Sequence, residues 1–110
     1  MTLTLTTATT PTTPTTHLGD DSLWSEDVRW LADDRSAYAV GHLAPRIRWL
    51  HLYLNAAPGG ADGILAHIRL DLAGQDLHSV CAIRACPQAA ICAAFALLRD
   101  ELTRREASAD

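Results

Sequence analysis

Three consecutive stretches of this chain alternate with a period of two, and that rhythm limits the fold more than any other feature. Arg46 to Leu54 reads RIRWLHLYL, with Leu50, Leu52 and Leu54 interleaved with Trp49, His51 and Tyr53. Ile64 to Leu72 reads ILAHIRLDL, with Ile64, Ala66, Ile68, Leu70 and Leu72 on one side and His67, Arg69 and Asp71 on the other. Leu77 to Ala85 reads LHSVCAIRA; taking Leu77, Ser79, Cys81 and Ile83 as inward residues leaves His78 and Arg84 outward. Successive side chains of a strand point to opposite faces, so three such runs predict a half-buried antiparallel meander. The segments NAAPGGADG (55–63) and AGQD (73–76) supply the loop and the tight turn between them. A competing reading makes 46–57 and 63–73 helices, built on Ile47, Leu50 and Leu54 and capped by Asp62, which yields a small all-α bundle. The strict alternation of Ile64–Leu72 decides for strands.

Helical spacing flanks the meander. Ser22 or Ser25 can cap a first helix whose initial turn holds Glu26 and Asp27, with Trp24, Val28 and Leu31 at i, i+4, i+7. This predicts a helix from about Leu23 to Arg35, followed by an ambiguous stretch, 36–44, that breaks near Gly41 and Pro45. Pro87 suits the first turn of a last helix, and Ile91, Phe95, Leu98 and Leu102 form its apolar stripe. Glu101 can meet Arg105 across one turn, and the chain is expected to fray after about Arg105. The expected class is α+β: a helix, a three-stranded antiparallel meander, and a C-terminal helix packed on one sheet face.

The N-terminus has a different character. Ten of the first 16 residues are Thr, with Pro11 and Pro14 among them, and no alternating apolar face runs through the segment. Such a sequence buries too little to offset its ordering entropy. Residues 1–19 are therefore expected to be a disordered tail, 20–106 one small domain, and 107–110 a frayed end. Deleting residues 2–18 should then change stability by no more than about 0.5 kcal/mol.

Charge and cysteine usage narrow the function classes. The formal charge is −4 and all nine basic residues are Arg, a usage that, with abundant Ala and Leu, suits a high-GC bacterial coding sequence. An acidic balance argues against a protein held to nucleic acid mainly through phosphates, which require a basic stripe. Cys81, Cys86 and Cys92 are an odd number without CxxC spacing, so reduced thiols are expected. No secretory signal and no bilayer-length apolar run is visible, which leaves a cytoplasmic protein without a membrane partner as the expectation.

The strand reading brings candidate binding residues together. With the Leu/Ile side as core, Trp49, His51, Tyr53, His67, Arg69, Asp71, His78 and Arg84 share one open surface. Aromatics with Arg are the types enriched where proteins meet partners, and they also stack unpaired bases. Trp49, Tyr53, Arg69 and Arg84 are the expected anchors and His51, His67 and His78 the secondary contacts. Three imidazoles on neighbouring strands raise the question of zinc, but no HxH or HExxH pair supports it, and neither metal nor cofactor is expected. Cys86, just before Pro87, sits where a helix N-terminus can lower a thiol pKa; Cys81 and Cys92 read as small apolar fillers.

Two short resemblances touch the same residues. LGDDSL (18–23) resembles the segment around the prosthetic-group serine of acyl carrier proteins, which implies that Ser22 would carry the group; the preceding helix of that family is replaced here by the Thr-rich tail. The helix–three strands–helix order with an Ala-rich last helix resembles the double-stranded RNA-binding domain. That resemblance implies RNA contact, but Pro87 and Gln88 stand where the family has a Lys-rich helix start. The leading expectation is a non-enzymatic interaction protein whose open sheet face binds a protein partner or a second copy. An RNA-binding module is the alternative, disfavoured by net charge, and a thiol or metal enzyme centred on Cys86 or a His cluster is the third.

Overall fold

The computed structural model describes residues 15–108 and contains a four-stranded mixed sheet with two helices on one side. Strand β1 is Thr15–Gly19, helix α1 Glu26–Val40, strand β2 Ile47–Ala56, strand β3 Ile64–Leu72, strand β4 His78–Arg84 and helix α2 Pro87–Ser108. The strands lie in the order β1-β2-β3-β4. β2, β3 and β4 form the antiparallel meander, whereas β1 runs parallel to β2 and is joined to it through α1. The all-α alternative is overturned, because 47–56 and 64–72 pair as antiparallel strands, without a break from Trp49–Asp71 to Ala56–Ile64.

The N-terminal boundary is corrected too. Thr15–Gly19, assigned to the tail by composition, is an edge strand, while residues 1–14 lie outside the described residues. Its β-branched Thr residues suit an extended backbone, and long-range contacts hold it there. Thr15 Oγ1 donates to Ser36 Oγ of α1 at 2.8 Å, and Trp24 Nε1 donates to the Leu18 carbonyl at 2.7 Å. The His17 ring stacks on Trp24 with centroids 4.4 Å apart and donates from Nε2 to Asp33 at 2.9 Å. Gly19 adopts φ +96°, where a side chain would drive into the Leu54 backbone.

Ser25 caps α1 by accepting from the Val28 N–H at 3.3 Å. The helix runs one turn past its expected end, and the ambiguous stretch resolves into its last residues and a 3-10 turn at Gly41–Arg46. Its buried side chains are Val28, Ala32, Ser36, Ala39 and Val40, so Ala32 takes the place expected for Leu31. The acyl-carrier-like segment is a 3-10 turn, Asp21–Leu23, preceded by a strand. Ser22 donates both its N–H and its hydroxyl to the Asp20 carboxylate, which those bonds hold below its ordinary pKa.

Core packing follows the alternation in β2 and β3. Leu50, Leu52, Leu54, Ala66, Ile68, Leu70 and Leu72 are buried against Ile91, Phe95, Leu98 and Leu102, the stripe expected of α2. Strand β4 has the opposite parity from the expected one. His78, Val80 and Ala82 face the helices, because Val80 pairs with Ile68 and Ala82 with Ala66. Ser79, Cys81 and Ile83 face outward, and Leu77 precedes the strand in an exposed position. A shift of one residue in a strand moves every side chain to the other face. The two faces of β4 are about equally apolar, so only its pairing with β3 settles the choice.

Candidate binding surface

The side of the sheet away from the helices is uncovered among the described residues, and β2 and β3 place its central side chains. Partners across the ladder share a face, so Trp49 stands beside Asp71, His51 beside Arg69, and Tyr53 beside His67. Residues two apart on a strand are separated by roughly 7 Å, close enough for rings to meet along it. Trp49 and His51 stack with centroids 4.4 Å apart and planes 24° from parallel. His51 meets Tyr53 edge-on at 6.2 Å, and Tyr53 lies 5.7 Å from His67. The four rings form one continuous row. Arg69 places its guanidinium carbon 5.8 Å from the Trp49 ring centre, and His67 Nε2 lies 2.7 Å from Ser79 Oγ. Ring contacts of this kind restrict side-chain rotamers, and restricted side chains have less conformational entropy to lose.

Five of the seven expected contact residues are thus on one surface: Trp49, His51, Tyr53, His67 and Arg69. The other two are not. His78 is buried on the helix side, where Nδ1 donates to Glu101 Oε2 at 2.8 Å and Nε2 lies 2.9 Å from Gln75 Oε1. It fastens the β3–β4 turn to α2. Glu101 is engaged there, so the expected Glu101–Arg105 pair does not form among the described residues. Arg84 shares the helix-side parity of His78 and ends β4, donating to the Ile83 carbonyl at 2.7 Å. In exchange, the surface gains Leu65, Ser79, Cys81 and Ile83.

The thiols also differ from expectation. Cys81, Cys86 and Cys92 are all free and exposed, so neither Cys81 nor Cys92 fills the core. No group of three or more His, Cys, Asp or Glu is placed to hold a metal among the described residues, and His51 and His67 stand apart from buried His78.

Electrostatics around the surface contradict the impression left by net charge. Residues 20–35 hold six carboxylates against Arg29 and Arg35, which accounts for the whole formal −4; the other seven acids and seven arginines cancel. The acidic segment belongs to α1 and the turn before it. The outward residues of β2–β4 carry one fixed cation, Arg69, and one fixed anion, Asp71, beside two titratable imidazoles. The surface is close to neutral. This segregation was available in the sequence once the elements were assigned.

No protein-family model and no curated protein matches the chain. Solved structures do. The crystal structure of the Thermus thermophilus Protein Y N-terminal domain superposes with a TM-score of 0.65 at 22% identity, covering 80% of this chain and 92% of that one. A ribosomal subunit interface protein from Coxiella burnetii superposes with a TM-score of 0.68 at 12% identity, covering 84% and 97%. The added strand β1 sets this architecture apart from the helix–three strands–helix order expected of a double-stranded RNA-binding domain. The chain shares the fold of these two proteins.

Proposed function

We propose that this protein is a non-enzymatic binding module that docks on exposed RNA of a ribosomal subunit through its open sheet face. The observation that carries the reading is the uncovered row Trp49–His51–Tyr53–His67 with Arg69 against its end. Trp49 and Tyr53 offer ring faces to unpaired bases, Arg69 a guanidinium to a base or phosphate, and the imidazoles hydrogen bonds to base edges. The fold shared with a ribosomal subunit interface protein supports this partner, and the near-neutral surface removes the objection raised by net charge. Such a partner places the protein in the cytoplasm. No described helix is long and apolar enough to cross a membrane.

Sedimentation with purified ribosomal subunits tests the reading. Base stacking is worth about 1–3 kcal/mol per base, so Trp49→Ala with Tyr53→Ala should weaken binding at least tenfold. With one fixed cation on the surface, the salt slope should be shallow, about −1 on a log–log plot. Undiminished binding of the double variant would sink the sheet-face assignment. A second reading, a protein partner or a second copy, is favoured by Leu65, Cys81 and Ile83 at the far end of the face, where Ile83 is 42% exposed. It requires that capture survive nuclease treatment.

A further inference from the structure

On the helix side of the sheet, at the end where β3 turns into β4, lies a cleft of about 660 Å³ that the aromatic row does not touch. Three arginines from three elements line it. Arg46 ends the 3-10 turn after α1, Arg48 lies in β2, and Arg105 occupies the last basic position of α2. Arg48 is delivered by an irregularity: the β2–β3 register passes from Ile47–Leu72 to Trp49–Asp71, leaving Arg48 unpaired between them. Such bulges re-aim side chains and cluster beside functional sites.

Asp76 is the one carboxylate lining the cleft, and none of the three guanidiniums has an ion-pair partner among the described residues. Glu101, the neighbour one turn before Arg105, is held by His78. The walls are fixed independently of any ligand. Ala73 N–H donates to the Arg46 carbonyl at 2.8 Å, Gly74 turns the chain at φ +82°, and the Gln75–His78–Glu101 chain ties that turn to α2. Leu43, Leu72 and Leu102 supply an apolar floor.

Three guanidiniums without an ion-pair partner among the described residues, lining one cleft beside apolar side chains, match one ligand chemistry. Their planar donor forks fit phosphate oxygens two at a time, and the volume falls within the range of small-molecule sites, about 300–1,000 Å³. We infer that this cleft binds a small free phosphorylated molecule, with its phosphate or diphosphate on Arg46, Arg48 and Arg105 and its organic part over Leu43, Leu72 and Leu102. The site lies on the opposite side of the sheet from the ribosome-docking surface, so either assignment can fail without the other.

Isothermal titration of the full chain with pyrophosphate and with adenosine diphosphate tests it. Saturable one-to-one binding is expected, at least tenfold weaker in Arg48→Gln with Arg105→Gln, and about threefold tighter in Asp76→Asn, which removes the opposing charge. Thermal unfolding checks that each variant is folded; Arg105→Gln alone, at an exposed helix end, serves if the double variant is not. No saturation at millimolar ligand, or unchanged affinity in the arginine variants, overturns the site. A short single-stranded RNA included as competitor separates the sources of phosphate. Failure to displace pyrophosphate supports the free ligand, whereas competitive displacement assigns the arginines to a nucleic-acid backbone and overturns it.

Discussion

Gly19→Ala asks whether the end of the Thr-rich segment belongs to the fold. A Cβ built at Gly19 meets the Leu54 carbonyl oxygen at 2.2 Å, the Leu54 nitrogen at 2.8 Å and its carbonyl carbon at 3.0 Å. Contacts below 3.0 Å essentially never occur for a real Cβ, and every nearby atom is backbone, so the strand itself must move by about 0.8 Å. Two costs add. An L-residue forced to φ +96° is strained by about 1–3 kcal/mol. The displacement also disrupts the Asp20 N–H to Leu54 O=C bond, 2.7 Å long, and the adjoining β1–β2 pairing, each net hydrogen bond being worth about 1 kcal/mol. A loss of roughly 3–5 kcal/mol follows, which for a domain this size lowers Tm by about 15–30 °C. Urea and thermal unfolding followed by tryptophan fluorescence measure it, since Trp24 is buried against His17 of the same strand. Gly41→Ala is the control: its Cβ meets nothing within 4 Å, and a change within about 1 kcal/mol is expected. A Gly19→Ala protein as stable as the parent would show that Thr15–Gly19 is tail after all.

Other consequences are as concrete. His78→Ala removes a buried ring and both of its hydrogen bonds, leaving Glu101 without its partner; urea unfolding should show a loss of about 2–4 kcal/mol. Once corrected for folded fraction, the ribosome binding proposed for the open face should be unchanged in that variant, since His78 lies on the helix side. In an NMR titration the Asp20 carboxyl should titrate below the ordinary aspartate range, and Ser22→Ala should return it upward. Because the folded-state value is depressed, this cap stabilises the fold above that ordinary range and is lost as pH falls through the folded value; equal midpoints in parent and variant would contradict the assigned cause. Three equivalents of thiol should react with Ellman's reagent in the native protein, since all three cysteines are exposed; reaction of Cys86 alone would restore the sequence-based placement of Cys81 and Cys92 in the core.

Alternation and helical stripes were legible in the sequence because they reflect which side chains must leave water. Leu50, Leu52, Leu54, Ile68, Leu70 and Leu72 on the strands, with Ile91, Phe95, Leu98 and Leu102 on the last helix, identified the meander, the C-terminal helix and the face between them. The same alternation placed Trp49, His51, Tyr53, His67 and Arg69 on the opposite surface, and ladder register then turned that placement into a stacked row. Where burial alone did not discriminate, the sequence was silent. Thr15–Gly19 has no apolar rhythm of its own; it becomes a strand because the β2 edge offers backbone partners and because Ser36, Trp24 and Asp33 receive its side chains and carbonyl. Strand β4 has two faces of similar hydropathy, so its parity was set by pairing with Ile68 and Ala66, which turned His78 inward and Cys81 outward. The bulge at Arg48 and the engagement of Glu101 by His78 join residues distant in the chain, and Arg46, Arg48 and Arg105 line one cleft without an ion-pair partner among the described residues. Local hydrophobic pattern determined β2, β3 and α2 and their buried sides. Long-range hydrogen bonding and strand register, which no local window contains, decided the edge strand and the contents of both candidate sites.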